Sequence, residues 1–168
     1  MNDIDLRTKR LCIRPLTLSD AQSLFEYRSL NKVTRFQTFK PRNLTDALNF
    51  IKPTLVGLNI PGSWYQLGLF HKDNNNHIGD IGIHFLTNLD KTEIGCTIAP
   101  KYWGKGYAIE GLETVISFLF STLKKKRIIA YVGVNNVKSR RLFECLGFQL
   151  VSQNDSEAIY QLVKIRWL

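Results

Sequence analysis

The sequence predicts one α+β domain: a central mixed, mostly antiparallel sheet of about seven strands, flanked by about four helices. Three observations carry this prediction. Trp64 to Phe70, His77 to Leu86 and Lys91 to Ile98 are strand-like runs separated by turn-forming Asp73-Asn-Asn-Asn76 and Asn88-Leu-Asp90, the pattern of consecutive hairpins. The third run leads through Gly104 and Gly106 into Tyr107 to Leu123, where Ala108, Leu112, Val115 and Leu119 fall on one helical face. Arg127 to Val134 then forms a strongly apolar run of strand length, suited to the middle of a sheet.

The other elements follow in chain order. Lys9 to Arg14 alternates and ends at Pro15, giving the first strand. Ser19-Asp20 offers an N-cap for a helix through Leu24, Phe25 and Tyr27. Asn31 to Arg42 has no stable period. Asn43 or Thr45 caps a second helix, which Pro53 kinks or ends, and Pro61-Gly62 is a turn. Ser139 to Leu146 is a short helix with Asn136 as its N-cap and Gly147 at its C-terminal turn. Phe148 to Ser152 and Ala158 to Ile165 close the chain as a hairpin across Asn154-Asp155-Ser156.

A chain of 168 residues, 44% hydrophobic and 22% charged, fits a single globular domain spanning 1–168. Met1-Asn-Asp-Ile-Asp lacks the apolar stretch of a signal peptide, and no apolar run approaches membrane-spanning length. Cys12, Cys96 and Cys145 are odd in number and widely spaced, which points to a reducing, cytoplasmic setting with no membrane partner. With His71, His77 and His84 they show no metal-ligand spacing, so no metal is expected. The net charge of +9 favours anionic partners: a phosphorylated ligand, or contact with RNA or a ribosome surface. A solvated positive face accounts for it equally well. Lys124-Lys-Lys-Arg127 reads as cations complementing the end of the long helix, or as an RNA patch. A monomer and a homodimer are both compatible with the sequence.

A strand turning through two glycines into a helix leaves unpaired amides at the positive end of the helix dipole, which holds anions and most often phosphate. No Walker A lysine-serine follows, and Ile109 stands where a dinucleotide loop would have its third glycine. Trp103-Gly-Lys-Gly106-Tyr-Ala108 resembles the acetyl-CoA diphosphate loop of the GNAT N-acetyltransferases. Tyr102 to Glu110 resembles, more narrowly, the branch that acetylates ribosomal-protein N-termini, the RimJ/RimL-like enzymes. Asn136-Val-Lys-Ser139 with Leu142-Phe-Glu-x-Leu146-Gly-Phe148, and Leu11-x-Ile13-Arg-Pro-Leu16 with Asp20-Ala21, are similar to two further family motifs in the right order.

The resemblance implies a sheet splayed between strands four and five to admit acetyl-CoA as cosubstrate. The expected cofactor contacts are backbone groups of Cys96, Thr97 and Ile98, the loop residues Trp103, Gly104, Lys105, Gly106, Tyr107 and Ala108, and Asn136 with Ser139. Trp103 replaces the family's usual Arg or Gln. Lys105, Lys138, Arg140 and Arg141 are candidates for the adenosine phosphate. Glu93, on the strand feeding the loop, is the candidate base; the alternative is a strand-edge carboxylate in solvent. His84 and Asp80 share its side of the sheet on the preceding strand. Many family members place a tyrosine where this chain has Phe143; in the ribosomal branch a serine supplies the acid, and Ser139 matches it. Asn136 and Ser139 could equally be helix caps. Cys96 as an acyl carrier would need an activating base, and a buried strand cysteine is the simpler reading. Glu110 either marks the branch or settles the helix start. Glu26, Tyr27, Arg28, Phe36, Trp64 and His84 are expected to line the acceptor site.

The resemblance implies acetyl transfer to a primary amine by direct attack in a ternary complex, the amine being a protein N-terminus of the ribosomal-protein type. The alternative acceptor is a small molecule such as an amino acid, a polyamine or an antibiotic. From another class comes a catalytically silent CoA-binding or RNA-binding module. The short Asn154 to Glu157 turn departs from the longer closing hairpin usual in the ribosomal branch.

Overall fold

A computed structural model describes residues 4–167; the first three residues of the polar opening lie outside them. One eight-stranded sheet runs in the order β1-β2-β3-β4-β5-β6-β8-β7. Its strands are β1 Leu6–Arg7, β2 Leu11–Pro15, β3 Ser63–His71, β4 His77–Phe85, β5 Lys91–Ile98, β6 Arg127–Gly133, β7 Gln149–Gln153 and β8 Glu157–Val163. The pairing is antiparallel throughout except for β5 against β6. The helices are α1 Ala21–Arg28, α2 Asn31–Thr34, α3 Leu44–Ile51, α4 Tyr107–Ser121, α5 Val137–Cys145 and α6 Lys164–Trp167.

The β3–β4–β5 meander splits the molecule into two layers because its side chains alternate faces. Leu69, Ile81 and Ile83 meet the apolar stripe of α4, where Leu112, Val115, Ile116 and Leu119 are buried. The opposite face, with Phe70, takes Leu24 of α1 and Ala47 and Ile51 of α3. Asn43 caps α3 by accepting from the Asp46 amide, and α3 ends at Ile51, two residues before Pro53. Gly147, at φ +85, stops α5 as expected.

Among the described residues the sheet has eight strands and the chain six helices, where the sequence predicts about seven and four. The additions are short: β1 has two residues, and α2 and α6 four each, too few for a periodic signal. Asp20 does not cap α1 with its side chain. Its carboxylate instead takes two bonds from Arg14, at 2.8 and 2.9 Å, and one from the Thr17 amide at 2.8 Å. Burial alone would raise this carboxyl, but Arg14 and Thr17 outweigh it and hold it below its ordinary range. Two of the four cations of the Lys124–Arg127 run are engaged. Lys125 is buried, with Nζ on Asn59 Oδ1 at 2.6 Å and the Leu89 carbonyl at 2.7 Å, and burial pushes its ammonium down. Lys126 pairs with Asp90 at 2.8 Å. Lys125 is therefore a buried anchor rather than part of a surface cation patch, whereas Lys126 remains at the surface. Among the described residues no helix is long and apolar enough to cross a membrane.

Candidate active site

The parallel pair β5–β6 is short. It is registered only at Lys91–Arg127, Thr92–Ile128 and Glu93–Ile129, although both strands continue. Beyond Glu93 the sheet forks, as expected between the fourth and fifth strands of the sequence reading. The fork opens a cleft of about 790 Å³, walled by Cys96, Thr97 and Ile98 on one side and the start of α5 on the other. α2 and the residues after it close the third side. The Ala99 amide donates to the Ile78 carbonyl, so by alternation Thr97 turns its main-chain groups toward β4. Cys96 and Ile98 turn theirs into the fork.

The glycine loop stands at the mouth. A single 3₁₀ turn over Pro100–Tyr102 ends β5, and Gly104 and Gly106 then adopt left-handed φ of +72 and +80. The first bond of α4 runs from the Glu110 amide to the Gly106 carbonyl at 3.1 Å. Among the described residues, the amides of Gly104 to Ile109 have no protein acceptor, and no side chain caps α4. An L-residue at either glycine would strain the turn that aims them. Trp103, in place of a polar side chain, donates its indole N–H to the Ile98 carbonyl at 2.6 Å and so braces the loop against β5.

The back of the loop is held by Arg10, which the sequence does not single out, and by Glu110, which it does. Arg10 donates to the Lys105 carbonyl at 2.9 Å and to Glu110 at 2.6 Å, and lies over the Tyr107 ring at 4.2 Å. Glu110 also accepts from the Arg10 amide and the Thr8 hydroxyl. Burial favours its neutral form, but Thr8 and Arg10 prevail and hold its carboxyl below the ordinary range. Glu110 therefore ties the β1–β2 turn to α4. An isolated Arg before a strand carries no periodic signal.

Of the expected cofactor contacts, Cys96, Thr97, Ile98, Trp103, Gly104, Gly106, Tyr107, Ala108, Asn136 and Ser139 all line this cleft. Lys105 does not: its ammonium lies over the Tyr102 ring, 5.7 Å from the centroid. Lys138, 5.4 Å over Trp103, and Arg141 line it. Arg140 is committed elsewhere, to the Tyr160 hydroxyl, the Val134 carbonyl and Gln153. Asn136 caps α5 by accepting from the Ser139 amide at 3.2 Å. The Ser139 hydroxyl has no protein partner among the described residues. Phe143 is buried edge-on to Phe148, away from the cleft. Burial pushes the Cys96 thiol up, which disfavours the thiolate that an acyl carrier needs.

At the base of the fork, Trp64, His84 and Glu93 lie in register across β3, β4 and β5. His84 stacks on Trp64 with centroids 4.7 Å apart, and its Nδ1 is 3.2 Å from Glu93 Oε2. Both partners of this pair are about one quarter exposed. Glu93 occupies the last paired position before the strands part. Next along the same face comes the Gly82–Gly95 pair, where a Cβ on Gly95 would meet nothing within 4 Å. Asp80 follows, fully buried, with Arg28 donating at 2.5 and 3.0 Å and the Tyr27 hydroxyl also bound to it. Tyr27 and Arg28 are thus packed against Asp80 rather than lining the acceptor site, and Asp80 is taken up by that contact. Glu26 is at the surface with Gln22. Phe36 is exposed and lines the cleft.

The residues fit acetyl-CoA. The loop supplies unpaired amides, the fork supplies the main-chain groups of Cys96 and the amide of Ile98, whose carbonyl is taken by Trp103, and the lining contains Lys32, Arg35, Lys138 and Arg141 but no Asp or Glu.

The acetyltransferase (GNAT) domain family profile matches residues 10–149. The uncharacterized N-acetyltransferase YoaA of Bacillus subtilis (strain 168) is 34% identical over 146 residues, covering 86% of this chain and 82% of its own. Two solved structures share the fold. A Vibrio cholerae protein assigned as a ribosomal-protein-serine acetyltransferase aligns with a TM-score of 0.77 at 22% identity, over 95% of this chain and 97% of its own. The spermidine N-acetyltransferase of Vibrio cholerae, solved with CoA and spermine, aligns with a TM-score of 0.80 at 16% identity, over 94% and 97%.

Proposed function

Because this chain belongs to the GNAT acetyltransferase family, we propose that it acts as one domain over 1–168 and acetylates the N-terminal amine of a protein at the fork of its sheet. It is an N-acetyltransferase with acetyl-CoA as cosubstrate. The observation that carries the reading is the placement of the unpaired Gly104–Ile109 amides and the Glu93–His84 pair at one fork.

Acetyl-CoA supplies an activated acetyl thioester. The amides of Gly104 to Ile109 bind its diphosphate, and Lys138 and Arg141 add positive charge beside the loop. Cys96 offers its main-chain groups, and Ile98 its amide, along the fork to the pantetheine arm. Glu93 takes the proton from the incoming ammonium, directly or through His84, whose ring Trp64 holds by stacking. Ser139 keeps a hydroxyl proton on the far wall as the candidate acid. The raised Cys96 thiol supports direct attack over an acyl-enzyme. A protein N-terminus is supported by the Tyr102–Glu110 motif and by the ribosomal-protein assignment of one structural neighbour. The spermidine enzyme keeps a small amine as the second reading. The three free cysteines suit a reducing cytoplasm. A ribosome surface would then be the setting in which the positive charge acts.

The test is free-thiol release from acetyl-CoA with a panel of N-terminal peptides and small amines. Glu93→Gln is expected to lower kcat by about 10²–10⁴, the usual contribution of a general base, with the thermal shift given by acetyl-CoA unchanged. Equal loss of both would remove Glu93 as base. Ser139→Ala is expected to lower kcat by roughly tenfold, about 1.4 kcal/mol, the scale of one hydrogen bond. Unchanged turnover would return Ser139 to a purely structural place. A silent CoA-binding module would show the thermal shift and no thiol release with any amine.

A further inference from the structure

A second cavity of about 440 Å³ adjoins the first, sharing Arg35, Phe36, Gln37 and Asn135 with it. Its remaining walls are Thr38, Gly133, Val134 and Ser156, and none of the loop residues reaches it. Resting on the reading above, we propose that this cavity receives the part of the acceptor beyond its reacting amine, and that it selects an amine carrying its own carboxylate or phosphate rather than a polyamine.

The lining decides the sign of the charge. A polyamine needs carboxylates, and no Asp or Glu lines either cavity. The acids nearby are engaged or set aside. Asp80 is bound by Arg28 and Tyr27, and Glu93 is paired with His84. Glu157 sits opposite Gly133 in the sheet but does not line the pocket.

Arg35 is the reverse case. Among the described residues its guanidinium makes no ion pair and no side-chain hydrogen bond, and its one recorded neighbour is the Phe36 ring at 5.0 Å. A guanidinium resting on an aromatic face, with its planar fork of donors unspent, is matched to a carboxylate or phosphate. Donors surround it. The Gln37 side-chain oxygen already accepts from Arg28 at 3.2 Å, which leaves its NH₂ to donate, and the Asn135 amide has no protein partner among the described residues.

Calorimetric titration of amines onto the CoA-saturated protein tests this without relying on turnover. Paired probes separate the sources of the anion: a tetrapeptide with acidic second and third residues against its Asn-substituted counterpart, serine against serine amide, and phosphoethanolamine against ethanolamine. Spermidine stands as the polyamine. At least one anionic probe is expected to bind ten times or more tighter than its neutral partner. Arg35→Gln should reduce that preference to about threefold or less while leaving the affinity for the neutral probe unchanged. The proposal is overturned if no pair discriminates, if spermidine binds tightest, or if Arg35→Gln weakens both members equally. Thiol release with spermidine alone would keep the acetyltransferase reading and overturn this one. An Arg35-dependent preference without thiol release from any probe would do the opposite.

Discussion

Gly104→Val is expected to abolish acetyl-CoA binding in a protein that still folds. Gly104 holds φ at +72, and a Cβ built on it meets nothing within 4 Å, so the substitution creates no clash inside the protein. What it meets is conformational: a left-handed L-residue costs roughly 1–2 kcal/mol, and a β-branched one sits at the high end. If the backbone keeps its shape, the side chain stands in the cleft that Gly104 lines. If it relaxes to negative φ, the amides from Gly104 to Ile109 no longer point one way. Either outcome removes the diphosphate site. A ligand at about 100 times its Kd stabilises a protein by about 2.7 kcal/mol, which for a domain of this size is roughly 5–10 °C in Tm. The wild type should show that shift with acetyl-CoA, and Gly104→Val should show none while its ligand-free Tm falls by only a few degrees. A full shift in the variant would mean that the loop is not where the diphosphate binds.

This loop was also the most legible part of the sequence, not through its glycines alone, which any strand-to-helix turn could use, but through the two further motifs that stand in order around it. Gly104, Gly106 and the α4 stripe were readable from local rules, as were the Asn43 and Asn136 caps and the β3–β4–β5 meander. The site needed more, because its walls come from distant segments. Nothing local says that Arg10 reaches across about a hundred residues to the Lys105 carbonyl. Nor does any period mark Arg35, on an irregular stretch after the one-turn α2, as a wall of two cavities. Tyr27 and Arg28 show the opposite failure. As a polar aromatic and a cation on a helix near the predicted acceptor side they read as ligand-binding residues, but both are buried against Asp80. The parity that placed Asp80 and His84 on one face of β4 was right. It could not say that a guanidinium already occupied the first and a glutamate the second.

That difference between the two acids gives the largest expected effect on stability. Asp80→Ala should lower stability by about 3–5 kcal/mol, the cost of leaving one partner of a buried ion pair uncompensated. Asp80 is fully buried on β4 and Arg28 nearly so on α1, so their contact fastens the α1–α3 layer to the sheet. Without the carboxylate, Arg28 retains only Gln37 at 3.2 Å and the faces of Phe50 and Phe39 at 5.2 and 5.8 Å. The Tyr27 hydroxyl loses its acceptor too. Burial first, and the Asp80 charge next, hold that phenol far above its ordinary range, so it remains a donor at any working pH. Against a total stability of about 5–15 kcal/mol, the loss should appear as a fall in Tm of roughly 6–20 °C by calorimetry. The double substitution Asp80→Leu with Arg28→Met removes both charges and should recover part of it. The kinetic readout separates this acid from its neighbour: below its lowered Tm, Asp80→Ala should keep kcat within a few fold, whereas Glu93→Gln loses kcat at full stability. A Tm within two degrees of the wild type would show that the Arg28–Asp80 pair does not hold the two layers together. A kcat collapse in the folded variant would move Asp80 from the scaffold to the chemistry.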